Sequence, residues 1–232
     1  MPRPASRSRA RSRRTARRPD LSGPGARHGA PPAVLGLTGG IGAGKSEALA
    51  AFERAGAVVL SSDAIVHELY GDREVRAAVA DRFGPDVMRS DGLVDRARLG
   101  TRVFGDPEAV SFLERLLHPR IRAARERWIA AQRAARPAPS LLVCEVPLLF
   151  EAGLEGLFDA VVVVTASEPV RRARVEARGQ DFAARTAHQL PEGEKTERAD
   201  HVYVNDGSLG ELQAWVDDLH RRYAADGAHA GA

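Results

Sequence analysis

The chain has 232 residues, 44% hydrophobic and 28% charged, enough for one well-filled globular domain or a core with a smaller insert, and too few for several large domains. No run of about 18 apolar residues offers a membrane span, and the composition excludes a collagenous, coiled-coil or wholly disordered chain. The formal net charge of +3 is unevenly spread, because residues 1–31 hold nine arginines against one acid, Asp20, and so carry +8, leaving −5 for the rest.

The high pI thus belongs to the tail, and no nucleic-acid partner is expected for the folded part. A single cysteine, Cys144, excludes an internal disulfide and a paired Cys-x-x-Cys zinc site, and points to a reducing, cytoplasmic setting. Of 34 basic residues only Lys45 and Lys195 are lysines. In a chain so tilted towards the wide planar fork of arginine, a retained point charge on a flexible stem invites a chemical reason.

In chain order, residues 1–32 are arginine, serine, proline and glycine with little to bury, which predicts a disordered basic tail. A solvated tail, a start assigned too early, a transit peptide, or an arm for nucleic acid or an acidic partner all fit that composition. From residue 33 strand and helix signals alternate, the mark of a parallel α/β sheet. Strands are predicted at 33–37, 57–60, 141–146, 160–164 and 201–204, and helices at 47–55, 168–178 and 209–223. Residues 65–136 read as a helical insertion broken at Gly84-Pro85, Gly92, Gly105-Asp106-Pro107 and His118-Pro119. Residues 179–198 read as a polar, mobile segment, and 225–232 as a second disordered tail, which leaves 33–224 as the folded domain.

The most specific motif is Gly39-Gly40-Ile41-Gly42-Ala43-Gly44-Lys45-Ser46, a G-x-x-x-x-G-K-[ST] turn with a strand before it and a helix after it. Glycines let the backbone curl so that successive N–H groups face a phosphate, and the helix start adds its positive dipole end. Lys45 then reaches the β/γ-phosphates and Ser46 offers a hydroxyl to magnesium. In open α/β sheets ligands lie beyond the carboxyl ends of the strands. Asp63, just past the second strand, is therefore a candidate to take a proton from an attacking hydroxyl or to hold magnesium through water; it is also a candidate helix N-cap. Glu145, ending an apolar run, suits either the water shell of a metal or a structural salt bridge. Cys144 beside it reads as a small buried hydrophobe. Arg171, Arg172, Arg174 and Arg178 crowd one helix that leads into the 179–198 segment; they fit either a solvated face or cations brought over a triphosphate.

Taken together these residues resemble the dephospho-coenzyme A kinase family over roughly residues 34–223. Residues 36–46 resemble that family's phosphate loop closely. Gly92-Leu93-Val94-Asp95-Arg96 with Leu99 is similar to its G-x-hydrophobic-D-R-x-x-L segment, and residues 113–121 to its L-E-x-x-x-H-P-x-I signature. Pro147-Leu148-Leu149-Phe150-Glu151 resembles its P-L-L-F-E box, Arg174 and Arg178 its R-x-x-x-R pair, Gln189 its lid glutamine, and Ala199-Asp200 with Asn205 its closing segment. The resemblance implies a P-loop NTPase core with a five-stranded parallel sheet, a helical substrate-side insertion and a lid. It also implies transfer of phosphate from ATP, with Mg2+, to the ribose 3′-hydroxyl of dephospho-coenzyme A.

Carried onto this chain, the resemblance gives the phosphate cradle to residues 39–46, a base or metal-organising role to Asp63, and lid contacts to Arg174 and Arg178. It puts His118, Pro119 and Leu148 on the substrate side and Asn205 at the nucleotide end. Two positions depart from the family: Ser61 stands where Asp-x-Asp is frequent, and Glu47 where a small hydroxyl residue is common. A kinase of nucleosides or nucleoside monophosphates, and a nucleotide switch using residues 3–18 on nucleic acid, are the rival readings. The sequence leaves oligomeric state open.

Overall fold

The computed structural model describes residues 31–187 and 189–227. The predicted basic tail falls almost wholly outside them, as do residues 228–232. Strand β1 (Ala33–Thr38) leads through the glycine-rich turn into α1 (Lys45–Arg54) and β2 (Val58–Ser61). Four helices follow: α2 (Ser62–Leu69), α3 (Arg73–Phe83), α4 (Arg96–Val103) and α5 (Pro107–Ala134). The chain then alternates through β3 (Leu141–Glu145), β4 (Ala160–Thr165), α6 (Glu168–Glu176), α7 (Phe182–Thr186), α8 (Glu192–Arg198), β5 (His201–Val204) and α9 (Leu209–Gly227).

All five strands pair in parallel, in the order β2-β3-β1-β4-β5. The strands read as continuous apolar runs because both faces of the sheet are covered. Leu35, Leu37, Val143, Val162 and Val164 turn to one face, where Phe52 of α1 and Leu212, Val216 and Leu219 of α9 close over them. Val34, Leu142, Cys144, Val161 and Val163 turn to the other, under Leu149, Phe150, Phe158 and the α5 residues Trp128 and Ile129. Helices α3, α4 and the first half of α5 bury a separate cluster of Val75, Val79, Val94, Leu99 and Leu117. Because β1 is central and consecutive strands leave it on both sides, the loop after it opens at the crevice where such sheets take ligands.

The structure corrects the sequence reading in three places. The junction expected at His118-Pro119 is absent: α5 runs unbroken through Pro119 for 28 residues. The one hydrogen bond that proline forfeits is outweighed by anchorage on either side, Leu117 in the insertion's cluster and Trp128 and Ile129 against the sheet. Residues 179–198, read as a polar segment without a helix signal, hold α7 and α8. Asp181 caps α7 by accepting from the Ala184 N–H, Phe182 is buried with the guanidinium carbons of Arg171 and Arg172 5.4 and 4.7 Å from its ring centroid, and Lys195 is wholly buried. Helix α9 continues to Gly227, so residues 225–227, expected in the C-terminal tail, are helical, and the rest of that tail lies outside the described residues; Tyr223, buried and 2.8 Å from His201 Nε2, ties the helix to β5.

Cys144 is the last residue but one of β3, 1% exposed, and burial pushes its thiol from an ordinary 9.0 up to about 12. Only the unfolded chain forms the thiolate between those values, so the group withdraws stability as pH rises above about 9. Ellman's reagent at pH 8 is expected to leave native Cys144 unreacted and to titrate it fully once guanidinium unfolds the chain. Labelling of the native protein within minutes contradicts this burial.

Candidate active site

The turn between β1 and α1 has its shape because side chains are excluded from it. At Gly39, φ is +150° and a β-carbon would fall 1.9 Å from the Val164 carbonyl oxygen; at Gly44, φ is +100° and it would fall 2.2 Å from Asn205 Nδ2. Asn205 is buried just past β5, and its Nδ2 donates to the Ala43 carbonyl at 2.8 Å. Arg174 of α6 donates through Nη1 to the Gly42 carbonyl at 3.3 Å and through Nη2 to the Asn205 carbonyl at 3.1 Å. The carbonyls of Gly42 and Ala43 are thus held outward by Arg174 of α6 and by Asn205 at the end of β5. Gly44 is the N-cap of α1 and supplies no side-chain acceptor, so the first N–H groups of α1 remain available at the loop together with the positive end of the helix dipole. Ser46 is exposed on that first turn, and Glu47 beside it also faces solvent, which keeps its extra charge off the loop.

Lys45 folds back across the turn, its Nζ donating to the Gly39 and Gly40 carbonyls at 3.0 and 3.1 Å. Burial holds this ammonium below the ordinary lysine range, against the nearby carboxylate of Glu145, which favours its charge. Glu145 is buried at the end of β3 and raised by desolvation, while the Ser61 hydroxyl and Lys45 pull the other way. Glu145 and Ser61 are register partners on β3 and β2, and the Ser61 hydroxyl donates to Glu145 Oε2 at 3.0 Å. An aspartate at 61 would set a second carboxylate against that buried one. The departure from Asp-x-Asp therefore removes a like-charge clash. Ser61 is also the N-cap of α2, its Oγ accepting from the Asp63 N–H at 3.2 Å. Capping therefore falls to Ser61, and the N-cap alternative for Asp63 is overturned: its exposed carboxylate stands in the first turn of α2 at the carboxyl end of the sheet.

The segment around α8 lies directly on the loop. Gln189 Oε1 accepts from the Ile41 N–H at 3.0 Å. Glu192 Oε2 accepts from the Thr165 hydroxyl at 2.5 Å, and Glu192 Oε1 lies 3.8 Å from Arg171 Nη1 and 4.0 Å from Lys195 Nζ. Lys195 is also 3.2 Å from Glu151 Oε1, which accepts from the Leu190 N–H at 2.8 Å. Arg174 and Arg178 lie in different surroundings: Arg174 reaches the loop, whereas Arg178 is exposed beyond the end of α6. His118 and Pro119 are exposed on α5, which packs against the helix that carries Asp63, and Leu148 is 40% exposed after β3. Sequence reasoning misses Glu192, its contact with Arg171 and the bond of Ser61 to Glu145, although it names Arg171 and Ser61 and the scarcity of lysine marks Lys195.

Among the described residues no three histidine, cysteine, aspartate or glutamate side chains gather as a metal cage. Magnesium at a nucleotide needs none, since it takes one or two protein oxygens and completes its shell with phosphate and water. The hard oxygen donors Ser46, Asp63 and Glu145 fit that demand. Nor, among those residues, is any helix long and apolar enough to cross a membrane.

Comparison with known proteins agrees with the geometry. The sequence model of the dephospho-CoA kinase family matches residues 33–211. Dephospho-CoA kinases of Anaeromyxobacter dehalogenans and Mesorhizobium japonicum are 44% and 43% identical over 191 and 190 residues, 80% of this chain in each case and 90% and 94% of theirs. The crystal structure of TT1252 from Thermus thermophilus superposes with a TM-score of 0.67 at 34% identity, over 82% of this chain and 97% of the other. The dephospho-CoA kinase of Campylobacter jejuni shares the fold, with a TM-score of 0.59 at 23% identity over 82% and 96%. With a match that spans the sheet, the glycine turn and the segment laid over it, the chain belongs to the dephospho-CoA kinase family.

Proposed function

We propose that this chain transfers the terminal phosphoryl group of ATP to the ribose 3′-hydroxyl of dephospho-coenzyme A in the cytoplasm, the last step of coenzyme A synthesis. The observation that carries the reading is the uncapped start of α1, with Lys45 folded over the glycine turn 39–46. The loop amides bind the nucleotide's phosphates, and Lys45 exchanges two neutral carbonyls for phosphate oxygens, with Glu145 keeping it charged. Ser46, with Glu145 or Asp63, would hold magnesium, which would supply neutralisation of phosphate charge. Asp63 accepts the proton of the attacking hydroxyl or orients it. Arg174 and Asn205 position the loop by holding its carbonyls away from the anion. His118, Pro119 and Leu148 belong to the acceptor's side, and Arg178 joins the nucleotide when the 179–198 segment moves as a lid. With attacking and leaving oxygens in line, the protein's work is positioning and electrostatic stabilisation.

Mass spectrometry of a mixture of purified protein, dephospho-coenzyme A, Mg2+ and ATP is expected to find coenzyme A and ADP. A nucleoside or nucleotide phosphorylated in preference to dephospho-coenzyme A overturns the choice of acceptor. Lys45→Ala is expected to lower kcat by about 10²–10³ and to weaken ATP binding, as loss of a charge-stabilising donor does; an unchanged rate and affinity contradict the cradle. Asp63→Asn is expected to fold and bind ATP but to lose about 10²–10⁴ in kcat, and near-normal ADP release in a coupled assay removes Asp63 from the chemistry.

A further inference from the structure

Arg171 and Lys195 stand out against the rest of the basic residues. Both are buried, 7% and 0% exposed, and Arg171 Nη1 and Lys195 Nζ make no hydrogen bond. Lys195 is ion-paired with Glu151 at 3.2 Å and Arg171 donates through Nε to the Ala166 carbonyl at 3.1 Å. Yet the Nη1 and Nζ atoms, whose donors are left over and costly to bury, also converge on one further carboxylate oxygen, Glu192 Oε1, at 3.8 and 4.0 Å. Neither distance is a hydrogen bond. Glu192 is held instead through its other oxygen, by the Thr165 hydroxyl. The place of this cluster is as telling as its chemistry, because a β-carbon added at Gly40 would fall 2.2 Å from Glu192 Oε1 and 2.8 Å from Arg171 Nη1. The carboxylate and the guanidinium tip therefore lie against the backbone of the glycine turn, and the field of Lys195 reaches Lys45 across it.

A pair serving only to fasten α8 to the core has no reason to leave its donors unmade. Lys195 already has Glu151 at 3.2 Å for that purpose, and the Glu151 side chain also accepts the Leu190 N–H. Two underused cations around a loosely held anion at the rim of a phosphate loop describe an oxyanion site with an internal occupant.

We propose that Arg171 and Lys195 are further ligands for the nucleotide's phosphates, and that the carboxylate of Glu192 stands in for a phosphate oxygen until nucleotide displaces it. Exchange of one carboxylate for a polyanion satisfies both cations and frees α8 from the loop. The proposal rests on the reading of residues 39–46 as the nucleotide site, and the control for that reading is Lys45→Ala.

Calorimetric titration of the full chain with MgATP and with adenosine tests it. Glu192→Gln keeps the shape and the bond to Thr165 but removes the competing charge, and is expected to tighten ATP about five- to tenfold, the range of an ordinary coupling between sites, with adenosine unchanged. Arg171→Gln is expected to weaken ATP by a similar factor, again with adenosine unchanged. If Lys45→Ala weakens ATP while Glu192→Gln binds it no more tightly than the parent, or Arg171→Gln binds it equally well, the proposal is overturned and the loop assignment stands. If Lys45→Ala binds ATP as the parent does, the loop assignment fails and this proposal with it.

Discussion

The site depends on one constraint: the backbone after β1 must turn so that its N–H groups face inward and its carbonyls outward. Main-chain amides have no preference of their own for this, and a loop with free carbonyls would turn some of them towards an anion. Here the outward carbonyls are claimed one by one, Ala43 by Asn205 and Gly42 by Arg174. Two glycines accept the backbone angles that result, and Val164 and Asn205 crowd so close that no other residue fits at 39 or 44. The sheet order places β4 beside β1 and β5 beyond β4, so the elements that buttress the loop are those that the crossover connection brings to that side. Fold and anion site are one problem with one solution.

Charge balance is the second theme. Lys45, Arg171 and Lys195 lie around the loop, with Glu145, Glu151 and Glu192 set among them. Burial penalises the charge on Lys45 and on Glu145, and each of the two favours the charge of the other. The balance also explains Ser61, which hands Glu145 a hydroxyl proton where a carboxylate would have added to the repulsion. Asp63, the acid proposed for the chemistry, is exposed at the start of α2 and outside this set of buried pairs.

Much of this was legible in the sequence, for identifiable reasons. Strands buried on both faces write themselves as runs such as Val161–Val164 flanked by polar residues, and a turn that must coil around an anion writes itself in glycines. Asn205 was legible through resemblance, but its task of holding Ala43 was not, because the two are 162 positions apart. Pro119 misled because a local rule, that proline ends a helix, lost to the packing of α5 at both ends. The 179–198 segment misled for the opposite reason: its composition is polar, but Lys195 and Glu192 are turned inward to partners on β4, α6 and the box that ends in Glu151. Composition reports what a residue is and not which way it faces.

The central claim is that the amides of this turn, with Lys45, receive a phosphate. Backbone ¹H–¹⁵N NMR during titration with MgATP addresses it directly. The amides of residues 42 and 44–46 should shift strongly downfield with ATP and stay in place with adenosine, as N–H groups do on gaining a charged acceptor. ATP that shifts resonances elsewhere and leaves those amides unmoved would contradict the account.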